Sequence, residues 1–214
     1  MSPEDQPAVV YVVDDDAGVR QMIARMVRSV GLAAESFESV QAFLERLDPT
    51  RPGCLVLDVR LPGESGLDLQ DHLEKAGIDL PIVFVTGHGD IPMSVRAMKG
   101  GAVDFIEKPF RDQDLLDAIH AALARDASQR RDAQARAAAR ARLDTLTPRE
   151  RQVLERVVAG LLNKQVAAEL GTSEQTIKLH RGRAMRKMGA ESLAQLVVLA
   201  QLAGAVEPPP ASPR

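Results

Sequence analysis

The segment AVVYVVDDD, from Ala8 to Asp16, sets six apolar residues directly before three carboxylates. Four further runs are mostly apolar: Leu32–Phe37, Cys54–Leu57, Ile82–Val85 and Val103–Ile106. Short apolar runs are typical of parallel strands that are buried on both faces of a sheet. Stretches with apolar residues three and four apart, as in amphipathic helices, lie between and after these runs. Five strands alternating with five helices predict a doubly wound α/β domain with a five-stranded parallel sheet over residues 1–124.

The rest of the chain has helical patterns only. Residues 125–142 contain no Gly or Pro and are dominated by Ala and Arg, so they predict a helical linker that continues the fifth helix. Residues 143–206 predict an all-α domain of four short helices, the first opened by the capping box of Thr147 and Glu150. The second helix, a turn at Gly171 and the third helix have the helix-turn-helix arrangement that reads DNA. Residues 207–214 predict a disordered tail.

The charge of the chain is unevenly distributed. The net charge of -3 over 214 residues combines 11 basic and 21 acidic residues in positions 1–122 with 16 basic and 9 acidic residues in positions 123–214. The basic half favours an anionic polymer as its partner. The single cysteine, Cys54, excludes an internal disulfide and a Cys-rich zinc site. No apolar run approaches the ~18 residues needed to span a bilayer, and the acidic N-terminus lacks a secretory signal. We therefore expect a soluble, cytoplasmic protein without a membrane partner.

Polar side chains follow four of the five predicted strands. They are Asp14, Asp15 and Asp16 after the first, Asp58 after the third, Thr86 after the fourth and Lys108 after the fifth. The carboxyl ends of the strands meet at one edge of a doubly wound sheet, which is where such folds bind ligands. Crowded carboxylates repel one another unless a cation joins them, and an oxygen-only ligand set favours Mg²⁺, with Mn²⁺ as the other possibility. A carboxylate nucleophile, a hard metal ion, a hydroxyl and an ammonium group can together accept a phosphoryl group.

Four motifs resemble the receiver domain of two-component response regulators. They are VVDDD (Val12–Asp16), LDVRLPG (Leu57–Gly63), VTGHG (Val85–Gly89) and FIEKPF (Phe105–Phe110). The segment GDIPMSVRAMK (Gly89–Lys99) is similar to the FixJ-type branch of that family, which includes the StyR and TodT regulators. The resemblance covers residues 8–124 and implies the flavodoxin-like receiver fold.

This resemblance implies a role for each residue of the acidic edge. Asp58 would be the phosphoacceptor. Asp14, Asp15, Asp58 and the backbone carbonyl of Arg60 would hold Mg²⁺, whereas Asp16 would face the solvent. Thr86 and Lys108 would contact the phosphoryl oxygens, and Thr86 and Phe105 would form the switch that responds to phosphorylation. The bond between Lys108 and Pro109 would be cis.

The C-terminal motifs LTPRERQVL (Leu146–Leu154), NKQVA (Asn163–Ala167) and TIKLHR (Thr176–Arg181) resemble the LuxR/NarL-type four-helix DNA-binding domain. Its third helix would read the DNA. At 100° per residue, Ile177, Ala184, Met185 and Met188 share a face that should be core. The DNA contacts would come from Gln175, Lys178, Leu179, Arg181, Gly182, Arg183 and Arg186. A leucine among these polar residues suits contact with a thymine methyl group.

The two resemblances together imply a response regulator rather than an enzyme. A sensor histidine kinase would phosphorylate Asp58, the phosphorylated protein would form a homodimer, and the dimer would bind double-stranded DNA and activate transcription, with RNA polymerase as a further partner. One alternative is a Mg²⁺-dependent phosphohydrolase with an aspartyl-phosphate intermediate. Such enzymes typically place a second Asp two residues after the nucleophile, where this chain has Arg60. A binding module that works without phosphorylation is the other alternative, and the complete acidic set disfavours it.

Overall fold

The computed structural model describes residues 7–87 and 91–205. The predicted tail at 207–214 therefore lies outside the described residues. The chain divides between Gln129 and Arg130 into two compact units.

The first unit is built on a five-stranded sheet with the order β2-β1-β3-β4-β5, in which every neighbouring pair is parallel. Its strands are β1 (Val9–Val13), β2 (Ala33–Phe37), β3 (Gly53–Asp58), β4 (Ile82–Thr86) and β5 (Asp104–Glu107). Its helices before the last strand are α1 (Ala17–Ser29), α2 (Val40–Leu44), α3 (Gly66–Lys75) and α4 (Ile91–Lys99). This topology confirms the predicted doubly wound fold.

The sheet has a hydrophobic cluster on each face. Alternate residues of β1 point to opposite faces, so that Tyr11 packs in one cluster and Val10 and Val12 pack in the other. The rings of Phe37 and Phe43 pack around Tyr11, with the Tyr11 and Phe43 centroids 5.5 Å apart. Because both faces are covered, the central strands must be apolar throughout, which explains the continuous runs in the sequence.

Helix α5 (Asp112–Asp144) is a single helix of 33 residues, which confirms that the predicted linker continues the fifth helix. Its first turns bury Leu115 and Ile119 against the sheet. Contacts with the first unit continue beyond residue 124, where the linker was predicted to begin. The buried Asp126 carboxylate accepts the Gly53 N–H at 3.0 Å, and the Arg125 guanidinium donates to the Gly101 carbonyl at 2.9 Å.

The second unit contains the last turns of α5 together with α6 (Pro148–Val158), α7 (Asn163–Glu169), α8 (Glu174–Met188) and α9 (Leu193–Leu202). Helix α6 begins at the predicted capping box of Thr147 and Glu150, and the turn between α7 and α8 lies at Gly171 as predicted. Their shared core includes Val153, Val166, Ile177 and Leu196, and Leu143 of α5 is buried with them. Within the described residues, no helix is both long enough and apolar enough to cross a membrane.

Candidate functional site

Three carboxylates meet at the carboxyl edge of the sheet. β1 and β3 are neighbours, and Val13 stands opposite Leu57. Asp14 follows Val13 and Asp58 follows Leu57, so the two acids lie side by side. Oxygens of Asp14, Asp15 and Asp58 lie within 4.8 Å of one another. Asp14 and Asp58 are buried, with 2% and 7% of their surfaces exposed, whereas Asp15 is exposed. Close approach of three carboxylates to one another in a partly buried place requires compensating positive charge.

Lys108 supplies part of that charge. Its ammonium group donates to Asp14 Oδ2 and to Asp58 Oδ2, at 2.6 Å in both cases. Lys108 directly follows β5, and its backbone N–H continues the pairing with β4 by donating to the Thr86 carbonyl at 2.8 Å. This pairing holds Lys108 at the same edge of the sheet as the acids. The peptide bond from Lys108 to Pro109 is cis, as the family resemblance implied.

The pKa values of this group reflect burial and mutual contact. Burial raises the pKa of Asp14 above its ordinary value, and the hydrogen bond from Lys108 only partly offsets that effect. Burial alone would lower the pKa of Lys108, but its hydrogen bonds to Asp14 and Asp58 raise it above the ordinary value. The ammonium group is therefore held in its charged form between two carboxylates.

The residues of this edge fit a hard divalent cation. Every donor in the three-carboxylate group is an oxygen, and neither His nor Cys belongs to it. A single ammonium group against three carboxylates leaves an excess of negative charge, which a cation would compensate. Arg60 lies at the same edge, with its N–H donating to Asp58 Oδ1 at 2.8 Å and its side chain exposed.

Asp16 has a structural role that the sequence analysis missed. It is exposed and serves as the N-cap of α1, where its carboxylate accepts the N–H groups of Gly18 and Val19 at 2.7 and 3.1 Å. These hydrogen bonds lower the pKa of Asp16 below its ordinary value. An Asp directly before a helical pattern is a typical N-cap signal, so the sequence did contain the information.

Thr86 and Phe105 lie on the neighbouring strands β4 and β5. Thr86 is fully buried at the end of β4, one residue beyond the partner of Asp58, which is Val85. Phe105 is half-buried and stands opposite Phe84, with the two ring centroids 6.3 Å apart. Thr86 therefore belongs to the same edge as the acids, and Phe105 lies further back along the sheet.

In the second unit, α7 and α8 form the predicted helix-turn-helix. Gly171 takes the left-handed conformation at φ 61° in the turn, and the Ser173 hydroxyl caps α8 by accepting the Thr176 N–H at 3.1 Å. The predicted core face is buried at Ile177, Ala184 and Met188 and half-buried at Met185. The opposite face is exposed at Gln175, Lys178, Leu179, Gly182, Arg183 and Arg186. Leu179 is 51% exposed, on the face predicted to contact DNA, so its side chain is accessible to a thymine methyl group.

Arg181 is placed differently from the other predicted DNA contacts. It is half-buried, and its guanidinium donates to Asn163 Oδ1, at the start of α7, at 3.1 Å. This contact joins the two helices of the motif.

The capping box at the start of α6 has a partner that the sequence analysis missed. The Thr147 hydroxyl accepts the Glu150 N–H and the Glu150 carboxylate accepts the Thr147 N–H, as predicted. The ammonium group of Lys187, near the end of α8, also donates to Glu150 Oε2 at 2.6 Å. Hydrogen bonds from Lys187 and from the Thr147 backbone lower the pKa of the buried Glu150 to about 2. No local pattern links residues 37 positions apart, so this ion pair has no sequence signal.

An acidic edge on a doubly wound sheet, followed by a helix-turn-helix domain, is typical of one class of protein: the chain belongs to the response regulators. Residues 10–120 match the model of the response regulator receiver domain family, and residues 144–200 match that of the bacterial regulatory proteins of the luxR family. The chain therefore combines a receiver with a LuxR-type DNA-binding domain, as the sequence motifs implied.

Its relatives are transcriptional response regulators. The chain is 52% identical to Nodulation protein W of Bradyrhizobium diazoefficiens over 92% of its own length and 87% of that protein. It is 48% identical to the response regulator protein TodT of Pseudomonas putida, over 90% and 85% of the two chains. It is 46% identical to the transcriptional regulatory protein FixJ of Azorhizobium caulinodans, over 99% of both. The structure of the response regulator StyR covers 91% of this chain and 98% of its own, with 47% identity and a TM-score of 0.82. These similarities confirm the predicted FixJ-type branch.

Proposed function

We propose that a sensor histidine kinase phosphorylates Asp58, and that the phosphorylated protein forms a homodimer that binds double-stranded DNA and activates transcription together with RNA polymerase. One observation carries this proposal: Lys108 Nζ contacts Asp14 and Asp58 at the edge where the three acidic side chains meet. Because a histidine kinase and DNA are the partners, we place this activity in the cytoplasm.

The acidic edge would perform the phosphoryl transfer with the kinase as donor. In that step the P–N bond of the kinase phosphohistidine breaks and a P–O bond forms to a carboxylate oxygen of Asp58. Asp14, Asp15, Asp58 and the Arg60 carbonyl would hold Mg²⁺, or Mn²⁺, which supplies positive charge to neutralise the phosphoryl oxygens. Lys108 already lies 2.6 Å from Asp58 Oδ2, so its ammonium group is placed to contact the transferred group. The Arg60 N–H orients the carboxylate through Oδ1.

Phosphorylation would act on the rest of the receiver through Thr86 and Phe105. The new phosphoryl group carries about -1.5 to -2 units of charge and places strong hydrogen-bond acceptors beside Thr86. Movement of the Thr86 hydroxyl toward these acceptors would leave room for the ring of Phe105, which is only half-buried. The neighbouring helix α4 exposes Ile91, Val95 and Met98, whose spacing of four and three residues forms one apolar stripe. This stripe supports a homodimer formed through α4, β5 and α5.

The DNA-binding surface would be the exposed face of α8. It presents Lys178, Arg183 and Arg186 to the phosphates and bases, with Gln175, Leu179 and Gly182 between them. Arg181 is the seventh proposed contact, although its guanidinium also bonds Asn163. The family matches at 10–120 and 144–200 lie within the domain limits that we propose, 1–124 for the receiver and 143–206 for the DNA-binding domain, with the linker at 125–142.

The experiment that tests this function uses the full chain with beryllofluoride and Mg²⁺, which mimic the phosphorylated aspartate. Wild-type protein should become dimeric in analytical ultracentrifugation and should bind a promoter fragment from its own operon more tightly. Asp58→Asn should abolish both responses. Asp132→Asn, a matched loss of one exposed charge on α5, should keep both. Equal dimerisation and DNA binding by the wild type and by Asp58→Asn would contradict the proposal, and steady turnover of small phosphate esters would favour the phosphohydrolase alternative.

A further inference from the structure

The last turns of α5 are part of the packing of the second unit. Leu143 is fully buried and Ala139 is 2% exposed, both within the core shared by α6 to α9. Composition alone indicated an exposed spacer up to residue 142. The buried positions show instead that one face of the end of α5 is covered by the second unit, so polar side chains on the same turns can contact it.

Arg142 makes such a contact at the end of the recognition helix. Its guanidinium donates to the carbonyl of Met188, the last residue of α8, at 3.2 Å. The last carbonyls of a helix lack partners within the helix and carry partial negative charge, so a cation there is stabilising. Arg140 makes an equivalent contact at the end of α9, where it donates to the Ala203 carbonyl at 3.3 Å.

Gly189 creates the space that this contact requires. It closes α8 in the left-handed conformation, at φ 71°. A Cβ atom added at position 189 would lie 3.0 Å from the Arg142 guanidinium, so the guanidinium would have to shift by a few tenths of an ångström. The guanidinium therefore rests against the glycine, at the one place where the end of α8 has no side chain.

We propose that Arg142 is a positioning residue for DNA binding, which fixes the C-terminal end of the recognition helix against the end of α5. The inference rests on the proposed function, in which the exposed face of α8 contacts DNA. A helix of 15 residues is about 22 Å long, so a tilt of about 5° about one end moves the other end by about 2 Å. Hydrogen bonds to base edges tolerate much smaller displacements, so a loosely held end weakens contacts along the whole face.

The test compares the full chain and its variants on one DNA probe, a 30-base-pair duplex that the wild-type protein selects from a random-sequence pool. Dissociation constants are measured by fluorescence anisotropy between 50 and 300 mM salt. We expect Arg142→Gln to weaken binding about threefold to tenfold at every salt concentration, with an unchanged slope of log K against log salt. Arg142→Lys should restore most of the affinity. Arg136→Gln, which removes an exposed charge six residues earlier on the same helix, should bind like the wild type.

Gly189→Asn is the second variant, because its side chain would crowd the Arg142 guanidinium without changing any charge. Asparagine tolerates the left-handed conformation, so the helix end can still form. We expect the same weakening with the wild-type slope. A slope that falls by about 0.9 in Arg142→Gln would show a direct phosphate contact and overturn the inference, as would wild-type affinity in both variants. If Arg142→Gln does not fold, Gly189→Asn tests the inference by itself. Weaker binding with the wild-type slope would support the inference, and wild-type affinity would overturn it. If the wild type selects no duplex, the proposed DNA binding fails instead.

Discussion

Replacing Asp126 with alanine should destabilise the first unit by about 2–4 kcal/mol, although this residue lies in the stretch predicted as linker. The Asp126 carboxylate is 2% exposed and accepts the buried Gly53 N–H at 3.0 Å. A hydrogen bond to a charged group contributes about 1.5–3 kcal/mol, and leaving a buried N–H without a partner costs about 1–3 kcal/mol. These two effects overlap, which limits the total. The backbone of Gly53 packs tightly against β1, since a Cβ atom added at Gly53 would lie 2.3 Å from the Val9 carbonyl oxygen. The Gly53 N–H therefore has no room to turn toward another acceptor.

The chain provides its own probe for this measurement. It contains one tyrosine and no tryptophan, and the tyrosine, Tyr11, is buried in β1 next to β3. Tyrosine fluorescence during urea unfolding of the full chain therefore reports on the first unit only. With a slope of about 2 kcal/mol per molar urea, the midpoint of Asp126→Ala should fall by about 1–2 M.

Two controls separate the hydrogen bond from the charge. Asp126→Asn keeps an acceptor oxygen and should lose about 1 kcal/mol or less. Asp132→Ala, on an exposed part of the same helix, should stay within about 0.5 kcal/mol of the wild type. A midpoint for Asp126→Ala equal to that of the wild type would refute the claim that α5 stabilises the receiver beyond residue 124.

Three further predictions concern single side chains. Thr147→Ala should remove about 1 kcal/mol of cap stabilisation and speed hydrogen exchange at the start of α6 about fivefold, whereas Thr147→Ser should not. The pKa of Glu150 is lowered from 4.5 to about 2, so its contribution to stability is complete above pH 4.5 and is lost as the pH falls toward 2. Acid unfolding followed by circular dichroism should accordingly be less steep in Glu150→Gln across that range, and identical curves would contradict the role of Lys187. Burial raises the pKa of Cys54 to about 12, so a thiol reagent at pH 8 should label it only after urea is added.

Much of the fold was predictable because the sheet is buried on both faces. A strand covered on both faces must be apolar throughout, and its end is marked by the first polar residue, as at Asp14 and Asp58. The gathering of the acids and Lys108 followed from the topology, since parallel strands end at one edge. The exposed face of α8 followed from helical periodicity in the same way, with Arg181 as the exception. Its half-buried position depends on the distance between α7 and α8, which periodicity does not contain.

Three of the long-range contacts that escaped prediction share a physical cause. Asp126 accepts the Gly53 N–H, Arg142 donates to the Met188 carbonyl and Lys187 donates to the Thr145 carbonyl, across 73, 46 and 42 positions of sequence. In each case a charged side chain meets a backbone group, and every residue type apart from proline offers the same backbone groups. The sequence therefore does not indicate which backbone group is the partner. For this reason the composition of an Ala- and Arg-rich helix predicts only a solvated spacer. The role of such a helix depends on where its ends lie, because long side chains at each end can bond helix termini and strand ends that only the folded chain brings near.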